Sequence, residues 1–244
     1  MIRAAVLLGL LALAACAAPD THVPPFARVP YQAFSSQAVV AIALREWRLF
    51  GSQEDPVAAT GKLERAEGLW QRIGEYWWVG LPPDSPESGW TGKHDAAGRV
   101  FPADEDGRFA WSAAFVSYVM RIAGAGPHFP YAPDHAEYIN AARRGGAWIV
   151  TAERPDTYAP RPGDLVCRGR GWAAGMAYQD LPTGRFPSHC DIVVGPPADG
   201  AIPVVGGNVT DGVTMRRMPV DAAGILVPDG WLAVLRVGLA RPCC

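Results

Sequence analysis

Lysine is almost missing: only Lys62 and Lys93 occur in 244 residues, and arginine pairs such as Arg143-Arg144 and Arg216-Arg217 stand isolated. With a formal net charge of -2 the chain has no basic footprint, which excludes nucleic acid as an expected partner. No glycine-rich phosphate loop follows a strand-like run, so no cofactor is expected. No internal repeat is present, which removes solenoids and propellers. The apolar run at the N-terminus, 4–15, is shorter than the roughly 20 residues a membrane-spanning helix needs. A zinc site from Cys167, His189 and Cys190 fails on geometry, because neighbouring strand residues point to opposite faces. No metal is expected. What remains is a chain 49% hydrophobic and 19% charged, a globular composition that suits one large domain with an extension.

The extension is "MIRAAVLLGLLALAAC": one early positive charge at Arg3, an apolar stretch, then small residues before Cys16. This is the pattern of a secretory signal. "Leu13-Ala14-Ala15-Cys16" resembles a bacterial lipobox, which implies cleavage before Cys16 and lipidation of its sulfur. The other reading is an ordinary signal peptide with Cys16 incidental. Ala17 in place of aspartate implies, by resemblance to enterobacterial sorting, the outer membrane. The expected organisation is a signal peptide over 1–15, a lipidated proline-bearing tether over 16–34, and a folded domain over 35–244. The protein then faces the periplasm, held to the membrane by its lipid. In that compartment disulfides persist. Cys167 and Cys190 end and begin strand-like runs and are the expected pair, whereas a Cys243-Cys244 bond is strained.

Helical patterns come first: 36–50 behind serine caps, a second within 62–81, an all-round apolar one over 110–123, and "DHAEYINAARRGG" with an Asp134-x-x-Glu137 capping pattern. Between them, 82–108 is a long Gly-, Pro- and Asp-rich loop, a length that is uncommon without a role. Short β-branched runs follow: "GDLVCRG", "HCDIVVG", "AIPVVGGN", "GVTMRRM" and "GWLAVLRVG". Helices first and strands later predict an α+β domain with an antiparallel sheet packed on helices.

"WSAAFVSYVMRIAG", "RPGDLVCRG", "SHCDIVVG" and "VVGGNVTDGV" occur in that order. Together they resemble the papain-like cell-wall hydrolases of the NlpC and CHAP type. The serine version with "HCDIVV" is similar to a bacterial domain of unknown function numbered 2272. The resemblance covers roughly 110–213 and implies a papain-like fold with a central nucleophile-bearing helix. It places Ser112 where the family has its cysteine, His189 at the base position and Asn208 at the orienting position. Asp191 lies two residues from His189 on the same strand face and is a rival orienter or a substrate contact. In similar folds an upstream tyrosine or glutamine completes the oxyanion hole, and Tyr76 is the candidate here. Trp90 and His94 are expected to rim the cleft, and His135 to be a helix-surface or packing residue or, alternatively, to line the cleft.

Each of these residues has a plainer reading. Serine at a helix start caps free N–H groups, a strand histidine bonds a backbone carbonyl, and Asn208 after two glycines is turn chemistry. Serine, unlike cysteine, must lose its proton to a base as it attacks. Two functions follow. One is a cell-envelope hydrolase, amidase- or peptidase-like, acting on peptidoglycan or a cell-wall peptide through a Ser112–His189 dyad or triad. The other is an inactive papain-like binding or scaffold lipoprotein.

Overall fold

The computed structural model describes residues 34–55, 62–146, 148–227 and 230–238. The expected signal peptide, Cys16, nearly all of the tether, Cys243 and Cys244 lie outside them. The described residues belong to one compact unit. Among them, no helix is long and apolar enough to cross a membrane.

Ser35 caps the first helix, α1 (Ser36–Leu49), its hydroxyl accepting from the Ala38 amide. The two-residue strand β1 (Gln53–Glu54) follows. The second helix, α2 (Leu69–Gly80), starts later than its periodicity suggests. Gly68 takes φ +85, a left-handed conformation that breaks the helix there, so Leu63–Arg65 forms only a 3-10 turn. The polar loop is ordered as 3-10 turns over Pro86–Gly89 and Ala103–Phe109. It leads into α3 (Ser112–Ile122), buried from Ser112 through Met120. Asp134 caps α4 (His135–Arg144) by accepting from the Glu137 amide, and Gly145 ends it.

The remaining strands are β2 (Val150–Glu153), β3 (Leu165–Gly169), β4 (Ser188–Val193), β5 (Ala201–Val209), β6 (Gly212–Pro219) and β7 (Trp231–Val237). With β1 they form a seven-stranded sheet in the order β1-β6-β5-β4-β3-β7-β2. Every pairing is antiparallel except β1 with β6, so the sheet is mixed and not wholly antiparallel. The fold is α+β. The sequence pattern located five of the strands; β1 is too short to carry a pattern, and β2 has a single buried residue.

Strand alternation divides the core in two. Cys190 and Ile192 of β4 join α2, α3 and α4 in the larger core, while Val193 joins Val166, Val204 and Val234 on the other face. Cys167 and Cys190 stand opposite each other across β3 and β4, with Cα atoms 4.1 Å apart, and are joined as a disulfide. The bond closes a separation of 23 residues beside the start of β4.

Candidate active site

Ser112 is the first helical residue of α3, and Trp111 occupies the cap position. The serine does not cap. No side chain caps this helix, and the Ser112 hydroxyl instead meets His135 Nε2 at 2.8 Å. This corrects the expectation of a capping hydroxyl. The first-turn amides of α3 keep their hydrogen-bonding capacity, as a site for a developing oxyanion requires.

His135 is the first residue of α4, so two helix starts meet at this contact. Its Nδ1 lies 2.9 Å from the Tyr138 hydroxyl, which also donates to the Ala113 carbonyl at 3.3 Å. A carbonyl only accepts, so the single Tyr138 proton goes to Ala113, and the phenol oxygen accepts from His135 Nδ1–H. Nε2 is left with its lone pair and accepts from Ser112 Oγ–H. Assigned in this way from its partners, the ring is in the tautomer a general base needs. Burial, and then the neighbouring His189 and Arg170, push the His135 pKa well below the ordinary imidazole value. The ring is neutral at pH 7. His135 is 3% exposed, so it is no helix-surface residue. The legible signal was its position one residue after a helix cap, with Tyr138 one turn on.

The structure does not bring His189 onto the Ser112 hydroxyl. His189 Nε2 bonds Asp191 Oδ1 at 3.0 Å, and Asp191 Oδ2 takes Arg216 Nη2 at 2.5 Å. The reason is strand parity: Cys190 turns toward the helices, so His189 and Asp191 share the other face. At the start of β4 the His189 ring still reaches within 5.3 Å of the His135 ring, centroid to centroid. Its Nδ1 is buried without a protein partner. Burial raises the Asp191 pKa, but His189 and Arg216 outweigh it and hold the carboxyl far below its ordinary value. An ionised Asp191 only accepts, so His189 carries its proton on Nε2. Burial also lowers the His189 pKa, against the pull of Asp191.

His189 is hydrogen-bonded to Asp191, and no hydrogen bond joins it to Asn208. Asn208 sits at φ +55 where the register of β5 and β6 shifts between Gly206 and Val209. Gly206 and Gly207 precede it within the strand, and close approach explains both. A Cβ at 206 would lie 2.0 Å from Asp191 Oδ1, and one at 207 would lie 2.6 Å from Phe115 of α3. Tyr76 also departs from its expected place: its hydroxyl donates to Glu46 at 2.8 Å and is unavailable to an oxyanion. Trp90 packs on Trp77 and Phe109, and His94 on Trp70. Neither lines the cleft at Ser112.

That cleft has a volume of about 380 Å³, and Ser112, His135, Arg170, Trp172, Arg185 and Phe186 are among its walls. A serine hydroxyl, an imidazole within hydrogen-bond reach of it and helix-start amides at one cleft are the groups that acyl transfer requires.

Behind the site, the Trp111 indole donates to Glu64 Oε2 at 2.9 Å, while Oε1 has no partner. Burial first, and then Asp211 and Asp106, push the Glu64 pKa up to about 7. The folded state therefore holds a proton that the unfolded chain releases, so Glu64 stabilises below its ordinary pKa of 4.5. That contribution fades as pH rises through about 7. Glu64→Gln keeps the acceptor for Trp111 and removes the titration. Thermal melts are expected to show the variant gaining about 2–3 kcal/mol over wild type at pH 8 and nothing at pH 4. Parallel melting curves for the two proteins across that range would contradict it.

Residues 64–237 match the family described as "Uncharacterized protein conserved in bacteria (DUF2272)". No curated protein and no solved structure matches the chain. Ser112, His135, Tyr138, His189, Asp191 and Arg216 all lie inside the matched span.

Proposed function

Since the chain belongs to the bacterial DUF2272 family, we propose that it is a cell-envelope hydrolase, amidase- or peptidase-like, that attacks acyl groups with Ser112. The observation that carries this reading is the 2.8 Å contact from Ser112 Oγ to His135 Nε2 at the cleft. The papain-like arrangement, a nucleophile at the start of a helix laid on the sheet, belongs to the same proposal. So does the envelope location, which rests on the lipobox-like N-terminus, and the substrate, an amide of peptidoglycan or of a cell-wall peptide.

In this mechanism Ser112 Oγ bonds to the acyl carbon as its proton passes to His135 Nε2. The oxyanion is received by first-turn amides of α3. The same proton then moves from Nε2 to the departing nitrogen, leaving an acyl-serine. Water gives a proton to Nε2 and attacks the acyl carbon; the proton returns to Ser112 Oγ as the acid leaves. Tyr138 holds the ring in register throughout. Burial keeps Tyr138 protonated, its pKa raised well above the ordinary value.

The second reading is a binding or scaffold lipoprotein that keeps the cleft. It is favoured by serine where the resemblance has cysteine, and by Ser112 being only 6% exposed. A fluorophosphonate separates the two readings without knowledge of the substrate. Intact-mass and peptide mapping are expected to find the adduct on Ser112 in wild type, no adduct in Ser112→Ala, and slower labelling in His135→Gln. Wild type that stays unlabelled and releases no amino groups from purified sacculi is the binding protein, and the hydrolase proposal is then lost.

A further inference from the structure

Arg170 stands over the site without a partner. Of the other arginines near it, Arg185 pairs with Asp134 at 2.8 Å and Arg216 with Asp191 at 2.5 Å, while Arg168, which has no carboxylate partner either, lies over the Trp231 ring and is not part of the cleft lining. Among the described residues no hydrogen bond or ion pair occupies the Arg170 guanidinium, although it lines the cleft with Ser112 and His135. Asp134 is the one acidic residue in that lining, and it is doubly used, by Arg185 and as the cap of α4. The cleft therefore presents, beside its hydroxyl, a guanidinium with no ion-pair partner of its own; the buried Asp191 acts on it only at longer range and is itself bonded to His189 and Arg216.

The backbone holds Arg170 in place. Its amide donates to the Pro187 carbonyl at 2.9 Å, and its carbonyl accepts from Ala173 at 3.0 Å. Gly169 lies so close to this turn that a Cβ there would sit 1.9 Å from the Ala173 carbonyl oxygen. The same turn presents Trp172, 66% exposed, at the cleft. A guanidinium without a partner and an exposed indole at the same cleft suit an anionic group attached to an apolar or ring-shaped body.

We propose that Arg170 is a specificity residue: it binds a carboxylate of the substrate, a cell-wall peptide, beside the acyl group that Ser112 attacks, with Trp172 packing the adjoining moiety. This rests on the hydrolase and envelope readings above for the substrate's source. The charge argument itself is independent of whether Ser112 reacts. Phosphate shares the chemistry that Arg170 recognises, so the test must tell the two anions apart.

The test uses Ser112→Ala, which cannot turn over, and measures co-sedimentation with intact sacculi and with sacculi whose carboxyl groups have been converted to amides. Binding to intact sacculi is expected, with affinity about 10- to 100-fold weaker after amidation. Adding Arg170→Gln should weaken binding to intact sacculi by a similar factor and abolish the difference between the two preparations. Arg170→Lys, which keeps charge without the bidentate fork, should fall between. Binding that survives amidation but fails in Arg170→Gln assigns phosphate and overturns the carboxylate proposal. Insensitivity to Arg170, or no binding at all, overturns it too. The hydrolase reading fails separately, on fluorophosphonate labelling of Ser112.

Discussion

His135→Gln is expected to lower hydrolysis by about 10² to 10⁴ in kcat with little change in KM, while the fold persists. Glutamine keeps a polar group at the position and removes the ring nitrogen that takes the serine proton. The alternative base is His189, whose Nε2 is committed to Asp191 and whose Nδ1 has no protein partner. Measured side by side, His189→Gln should reduce the rate less than His135→Gln. Asn208→Ala should leave it within about threefold, since a general base normally contributes far more. Should His189→Gln be inactive and His135→Gln retain turnover, the base is Nδ1 of His189 and the assignment falls. The pH profile gives an independent reading. Both imidazoles have pKa values pushed down chiefly by burial, and a base works in its neutral form. The acid limb of kcat/KM is therefore expected below pH 6.5, the ordinary imidazole value. A limb at or above that pH would mean that the essential base is an exposed histidine, unlike either of these.

The sequence carried the helices, five strands and the α+β class because those depend on local spacing and caps. It also carried the Asp191 relation to His189, because two residues apart on a strand means one face whatever the tertiary structure. The same parity argument, extended one step, would have separated His189 from the serine. If Cys190 faces the helices that carry Ser112, its neighbour His189 cannot face them equally. What the sequence could not supply was the pairing of His135 with Ser112. The contact spans 23 positions and depends on where the start of α4 comes to rest against α3, a packing outcome with no periodic signature. Arg170 was hidden for a different reason. An arginine is unremarkable until its neighbours are known, and only the pairing of Arg185 and Arg216 elsewhere leaves it free. Tyr76 shows the converse, a residue assigned by position in similar folds but used in this chain for a buried carboxylate.

That carboxylate, Glu46, is a buried charge that depends on its partners. It is fully buried on α1 and accepts from Arg45, from Arg72 of α2 through two nitrogens, and from Tyr76. Arg72 and Arg45 also donate to the Tyr118 hydroxyl on α3. Burial alone would raise the Glu46 pKa, but the hydrogen bonds from Arg72 and Arg45 win and lower it. The carboxylate therefore favours folding above its ordinary pKa of 4.5, and that contribution is lost as pH falls below it. Glu46→Ala leaves Arg72 and the Tyr76 hydroxyl without their acceptor, which costs about 3–5 kcal/mol for a buried pair broken on one side. For a domain of this size that is a fall in Tm of roughly 6–20 °C. Arg45→Ala removes a half-exposed partner of the same carboxylate and should cost no more than about 1 kcal/mol. The asymmetry is the test: equal losses in the two variants would mean that the cluster is solvated and not a buried hub. Because Glu46 ties α1 and α2 to the helix that carries Ser112, its loss should reduce activity only in proportion to the fraction unfolded. A folded, soluble Glu46→Ala protein with fluorophosphonate labelling abolished would instead mean that the cluster positions α3 within the site itself.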